Sequence, residues 1–151
     1  MKSWIIAIAS LVGLGFGVAD SAARCLSYAP AKATLVGTLT SRAVPGPPNY
    51  YSITRGDHPE TIFILTLDEP ICVSGDPSSR SNSKGHSRVA EVQLVTRGAD
   101  PKRFRNARVR ASGSLSSART RNHRPPVVLT VVNLRAVQRD PAAAADRSDS
   151  R

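Results

Sequence analysis

The chain has 151 residues, enough for one small domain with a single hydrophobic core and too few for several. Lys and Arg number 21 against 11 acidic residues, which gives a formal net charge of +10. This charge argues against a cationic partner, although a basic composition alone does not identify a nucleic acid or a membrane as the partner.

The N-terminus has the pattern of a secretory signal peptide rather than of a folded domain. Lys2 gives a basic start, residues 4–18 form an apolar run, and small residues follow. The run is shorter than the ~20 apolar residues that a membrane span needs, so an uncleaved anchor is the less favoured alternative. We assign residues 1–23 to this signal and expect it to be removed during export to the periplasm or the exterior, by cleavage after Ser21 or Ala23.

The only two cysteines follow this signal, at positions 25 and 72. In an oxidising compartment such a pair favours a structural disulfide between Cys25 and Cys72. The closed loop would stabilise the fold by about 4 kcal/mol on the chain-entropy account. Two free reactive thiols are the alternative, but the sequence has no Cys-x-x-Cys spacing and no histidine beside either residue.

Five apolar or alternating segments of the mature chain are predicted as β-strands. They are residues 33–40, 61–68 with an extended continuation over 71–73, 89–95, 107–115 and 127–137. Gly37 in the first strand predicts a bulge or a sharp bend. The Asp-Pro start of residues 100–104 predicts a single helical turn, with Phe104 as its contact to the core.

This order of elements favours an all-β domain over residues 24–139, folded as a small five-stranded OB-like barrel. A small β-sandwich is the alternative architecture. OB barrels bind ligands mainly across their second and third strands and through the neighbouring loops. The polar segment 74–87 has no pattern that demands order, and residues 140–151 are predicted to be a disordered tail.

A set of short motifs is more specific in combination than any one of them alone. They are Cys-Leu-Ser-Tyr-x-Pro at 25–30, Gly-Thr-Leu at 37–39, Pro-Gly-x-Pro-Asn-Tyr-x-Ser-Ile at 45–53, Gly-Asp-x-Pro-Glu at 56–60, Leu-Asp-x-Pro-Ile-Cys-Val at 67–73, Gly-Ser-Leu at 113–115 and Val-Val-Leu at 127–129. With these motifs the chain resembles the small exported bacterial proteins of domain-of-unknown-function family 4431. The resemblance implies export, a disulfide and a barrel-like β domain, and it implies no activity.

Residues 45–60 form the segment most suggestive of a functional site. Four prolines and the turn residues around them predict a structured loop between two strands, and such loops often serve recognition. Its candidate ligand-binding residues are Asn49, Tyr50, Ser52, Asp57 and Glu60. Tyr50 and the adjacent Tyr51 could stack on a base or a sugar. Alternatively, one tyrosine caps the barrel and the other lies on the surface.

Arginines supply the second group of candidates. Residues 102–139 contain ten basic residues and no acidic one, and alternation places Arg108 and Arg110 on one face of a strand. Arginine favours contacts with phosphate or carboxylate groups, so an anionic polymer or another cell-envelope component is the predicted partner. A solvated face without a partner is the favoured alternative interpretation of this charge.

No catalytic, metal or cofactor site is predicted. Asp57 and Glu60 could be the acid/base pair of a hydrolase, but turn formation by Asp57 explains them more simply. In the resembled family a histidine-rich turn is common, and it is reduced here to His123. A metal would need the loop histidines 58, 86 and 123 to converge. We therefore expect a non-enzymatic exported binding module, with a hydrolase or an inhibitor of another secreted protein as alternatives.

Overall fold

The structure is a computed structural model that describes residues 25–98, 100–121 and 123–138. The predicted signal peptide (1–23) and the predicted tail (140–151) lie outside the described residues. The elements are β1 (Leu26–Ser27), β2 (Lys32–Pro45), a 3-10 turn (Ile53–Arg55), β3 (Pro59–Ser74), β4 (His86–Thr96), a 3-10 turn (Pro101–Phe104), β5 (Arg108–Ser117) and β6 (Val127–Ala136).

Strands β2 to β6 form a closed barrel in the order β3-β2-β5-β6-β4, and β3 also pairs with β4. The β4–β6 pair is parallel, and the other four barrel pairs are antiparallel. This is the connectivity of an OB-like barrel, with a 3-10 turn between the third and fourth barrel strands. The predicted all-β five-stranded barrel is confirmed, and the alternative sandwich is wrong.

The first two barrel strands are longer than the sequence predicted. Strand β3 runs continuously through Glu69 and Pro70, where we expected an interruption. Its pairing with β4 stops after Thr66 and resumes with a shifted register at Ile71. Pro70 therefore lies where neither neighbouring strand needs its missing N–H, which is how a β-strand accommodates proline.

Gly37 lies where β2 changes partners. The strand pairs with β5 through residues 32–38 and with β3 through residues 37–45, without a register shift at Gly37 itself. The pairing therefore shows no bulge at Gly37, and the alternative, a sharp bend, stays a prediction. A Cβ at this position would overlap the carbonyl group of Thr66 on β3, so the glycine allows the two backbones to approach closely.

The core fills the barrel interior with aliphatic side chains from all five barrel strands. Its fully buried members include Leu39, Leu65, Val92, Leu115 and Leu129. Alternation along each strand produces this arrangement, because every second side chain points inward. The predicted helical turn is present at Pro101–Phe104, where Asp100 accepts a hydrogen bond from the backbone N–H of Lys102 at 3.0 Å and Phe104 packs against the core.

A second buried cluster lies outside the barrel wall. Its members are Val44, Ile62 and Ile64. Ile62 and Ile64 alternate along β3 with residues of the interior core, so their side chains lie on the outer face of the strand and are nevertheless buried. Gln93, paired with Ile64 across β3 and β4, is also only 4% exposed. The outer face of β3 and β4 is therefore covered by the chain itself around Ile62, Ile64 and Gln93, whereas Thr66 on the same face is exposed.

The disulfide between Cys25 and Cys72 is confirmed. It joins the start of the described chain to β3, next to the short strand β1, which pairs in parallel with β3 through Leu26 and Val73. No sequence pattern predicts β1, because two residues are too few to show a periodicity. Among the described residues, no helix has the length and apolar character to cross a membrane.

Candidate functional site

The β2–β3 loop (residues 46–58) is organised around the carboxylate of Asp57, which is 4% exposed. One carboxylate oxygen accepts the backbone N–H of Asn49 at 2.8 Å. The other accepts the N–H groups of Tyr51 at 2.7 Å and Ser52 at 2.8 Å. These bonds, that from Ser52 foremost, lower the pKa of Asp57 from 3.8 to about 2 although burial opposes them.

Backbone hydrogen bonds close the base of the same loop. The N–H of Gly46 donates to the carbonyl of His58 at 2.7 Å, and the N–H of His58 donates to the carbonyl of Pro47 at 2.8 Å. Tyr50 has a left-handed backbone with φ of 63°, and its N–H donates to the carbonyl of Gly46 at 2.9 Å. This conformation is uncommon for a residue other than glycine and needs support from its surroundings. Here the support comes from the hydrogen bond to Gly46 and from the bonds that Asn49 and Tyr51 donate to Asp57.

The β5–β6 loop (residues 118–126) meets this loop through Arg121. The guanidinium carbon of Arg121 lies 4.8 Å from the centroid of the Tyr51 ring, a cation–π distance. Its Nη1 also lies 3.5 Å from the carbonyl oxygen of Asn49. Tyr51 as a whole residue nevertheless remains 73% exposed, so its side chain is accessible to a ligand.

Between the two loops lies a depression of about 550 Å³. Its lining residues are Pro48, Asn49, Tyr50, Tyr51, Thr120 and Arg121. They combine two aromatic rings, one guanidinium and one amide, which are groups that bind rings and anionic oxygens. We call this depression the loop site.

The loop site lies outside the face on which OB barrels usually bind ligands. That face belongs to the second and third barrel strands, here β3 and β4. Arg124 donates its backbone N–H to the side-chain carbonyl of buried Gln93 at 3.1 Å, so the β5–β6 loop lies over this face. A ligand at this end of the barrel therefore meets the outer surface of the loops.

The predicted candidates do not all come together. Asn49 and Tyr50 line the loop site, whereas Ser52 donates to Asp57 and its hydroxyl lies 2.9 Å from that of Thr54. Glu60 is in β3, in register with Val44. Neither Asp57 nor Glu60 lines the depression.

Arg108 and Arg110 lie on β5, away from the loop site. The segment from Arg110 to Ser117, where β5 ends and the β5–β6 loop begins, spans about 23 Å at the usual rise per residue. Arg108 donates from Nε and Nη2 to one carboxylate oxygen of Asp68, at 2.9 and 2.7 Å. The structure therefore separates the two predicted groups, tyrosines and arginines, instead of joining them in one site.

Arg121 and Thr120 are site residues that the sequence patterns do not single out. Their segment shows only a basic composition, although the loop preceding the last strand of an OB barrel commonly contacts ligands. That rule, applied to the predicted strands, could have identified Arg121. Its contact with Tyr51 could not have been found, because it joins segments 70 residues apart in the chain.

The histidines remain in separate environments. His58 is exposed in the β2–β3 loop, His86 begins β4, and His123 accepts the backbone N–H of Arg119 at 3.2 Å through Nδ1. Burial lowers the pKa of His123. Within residues 25–98, 100–121 and 123–138, no three His, Cys, Asp or Glu side chains are grouped so as to hold a metal ion.

The chain was compared with family models, with curated proteins and with solved structures, and none of them matches it.

Proposed function

We propose that this chain is an exported, non-enzymatic binding protein whose loop site holds an anionic or sugar-containing component of the cell envelope. The observation that carries the proposal is the exposed Tyr51 ring beside the Arg121 guanidinium. An aromatic face offers stacking to a base or a sugar ring, and the guanidinium offers paired donors to a carboxylate or phosphate. Both come from the loops that OB barrels use for ligands.

The disulfide supports the export part of the proposal. Structural disulfides persist in oxidising compartments and are rare in the cytosol, so Cys25–Cys72 is consistent with passage of the chain out of the cytoplasm. The signal-peptide pattern of residues 1–23 and the resemblance to family 4431 point in the same direction.

The chemistry of Asp57 favours binding over hydrolysis. Both carboxylate oxygens are occupied by backbone N–H groups, and the pKa of about 2 leaves the group ionised at neutral pH. A general acid needs a proton to give near neutral pH, and a general base needs an oxygen that can reach substrate. Asp57 therefore serves the shape of the loop that carries Tyr51.

The test is a binding series with heparin, a single-stranded oligonucleotide and soluble peptidoglycan fragments, each at several salt concentrations. We expect at least one probe to bind, with an affinity that falls steeply as salt rises if charge contributes. Tyr51→Ala should weaken binding by roughly 1–3 kcal/mol, the usual range for loss of one stacked ring, without lowering the melting temperature.

Arg121→Gln should weaken binding of the same probe and reduce its salt dependence. Arg103→Gln is the matched control, because Arg103 also lies over an aromatic ring, that of Phe104, at 5.9 Å. Absence of binding to all three probes at low salt would contradict the proposal. So would equal effects of the two arginine substitutions. Turnover of a probe that is lost in Asp57→Asn would support the hydrolase instead.

A further inference from the structure

A second basic surface lies on the outer face of β5 and β6, at the end far from the loop site. Arg110 and Arg135 are direct partners in the antiparallel register of these strands, and both side chains are exposed. Like charges placed directly opposite each other destabilise a sheet unless something of opposite charge lies between them. The repulsion between Arg110 and Arg135 therefore destabilises the sheet at this point unless a group of negative charge offsets it.

Neighbouring carboxylates do not offset this cost within the described part of the chain. Glu91 pairs with Arg42 and Asp68 pairs with Arg108, and neither of these ion pairs involves Arg110 or Arg135. Arg108 makes the contrast clear, since it lies two residues from Arg110 on the same face and is neutralised by Asp68.

The surroundings of the pair consist of further hydrogen-bonding groups. Asn133 accepts the Nε–H of Arg135 at 3.0 Å, which orients the guanidinium and leaves its two terminal nitrogens to donate elsewhere. Ser112 is the cross-strand partner of Asn133, and its hydroxyl lies 2.9 Å from that of Thr34. These groups border a depression of about 450 Å³ lined by Arg110, Ser112, Asn133, Arg135, Ala136 and Val137.

We propose that Arg110 and Arg135 form a binding site for a tetrahedral oxyanion, a phosphate or sulfate group. Such a group presents oxygens in several directions, so it can accept from guanidinium groups on two strands at once. Ser112 adds a hydroxyl at the edge of the same depression, which can donate to the anion when it accepts from Thr34. Because this site is about 23 Å along β5 from the loop that carries Arg121, it is independent of the loop site and goes beyond the function proposed above.

The probes are inorganic phosphate and inorganic sulfate, titrated separately into the full mature chain at constant ionic strength set with sodium chloride. The arginine Nε–H resonances are followed by NMR. We expect saturable shifts of the Arg110 and Arg135 signals, with the two anions distinguished by their dissociation constants. Arg110→Gln and Arg135→Gln should each weaken binding at least tenfold, and Arg110→Lys should retain part of it because charge remains while the planar fork is lost.

Arg80→Gln is the charge-matched control. Arg80 is exposed in the loop between β3 and β4, whose Asn82 contacts Ser117 at the opposite end of β5. It should bind both anions as the unchanged protein does. Linear shifts without saturation, or equal weakening by Arg80→Gln, would show that net charge alone is responsible and overturn the proposal. Thermal unfolding of every variant confirms that binding is compared between folded proteins.

Discussion

Two polar loops of this barrel are each held by one buried polar side chain, yet only one of them could be recognised from sequence. The β2–β3 loop is organised by Asp57, which gathers three backbone N–H groups from residues 49–52. The β3–β4 loop (residues 75–85) is organised by Asn82, which is 7% exposed. Asn82 accepts the backbone N–H of Ser117 at 3.0 Å and thereby fastens its loop to β5.

The difference between them is the range of the contacts. Asp57 acts within eight residues of itself, so the Pro, Gly and Asp of the segment already describe the loop. Asn82 acts across 35 residues, on a strand end that no local pattern connects to it. A local hydrogen-bond network leaves a signal in composition, whereas a long-range bond leaves none.

Of the substitutions that test this comparison, Asp57→Ala should lower the stability of the protein most. Three backbone N–H groups would lose their acceptor in partly buried hydrogen bonds, which is costly because such groups are otherwise paired. We expect the melting temperature to fall by more than about 10 °C, with fast amide exchange at residues 49–52. The control is Asp76→Ala, because the exposed Asp76 carboxylate accepts only from Ser78, at its N–H and its hydroxyl. Equal losses in the two variants would contradict the central role of Asp57.

Asn82→Ala should have a smaller effect, because one N–H from another element loses its partner instead of three. An unsatisfied buried donor costs about 1–3 kcal/mol, and each kcal/mol lowers the melting temperature by roughly 4 °C in a domain of this size. Ser83→Ala, in the exposed neighbouring residue, should leave the melting temperature unchanged. If Asn82→Ala melts like the unchanged protein, the β3–β4 loop is held by its other contacts.

The smallest expected effect is that of acid, which should destabilise the β2–β3 loop through Asp57 and leave the contact of Asn82 unchanged. The pKa of Asp57 is lowered from 3.8 to about 2 on folding, so its stabilising contribution is complete above about pH 4 and is lost as the pH falls towards 2. Asn82 does not titrate. At pH 3 the melting temperature should therefore fall by a few degrees relative to pH 5, and Asp57→Asn should remove much of that change. An identical fall in Asp57→Asn would assign the acid sensitivity to other carboxylates.

The fold itself could be predicted from the sequence because strands and turns leave local patterns in it. Apolar, β-branched or alternating segments located all five barrel strands, and the Asp-Pro start located the turn before β5. The extent of β3 was not accessible, since Pro70 usually ends a strand and only the register shift with β4 accommodates it here. The reason for Gly37 also needed the partner strand, because the carbonyl group it accommodates belongs to Thr66.

Only part of the candidate site could be predicted from the sequence, because only its local contacts leave a sequence pattern. Asn49 and Tyr50 were found through the composition of their loop, and the role of Asp57 as a turn residue agrees with its hydrogen bonds. Arg121 was not found, because its selection depends on the distance to Tyr51 across two loops. The opposition of Arg110 and Arg135 was equally hidden, since it depends on the register of β5 and β6.

The parallel pairing of β4 with β6 has a consequence for biosynthesis. β6 is the last strand of the described residues and fills the gap between β5 and β4, so a chain that ends before Val127 has two unsatisfied strand edges. The barrel therefore cannot close until β6 is in place. Folding must wait for the final strand, and C-terminal truncations into β6 are expected to aggregate rather than yield a smaller folded domain.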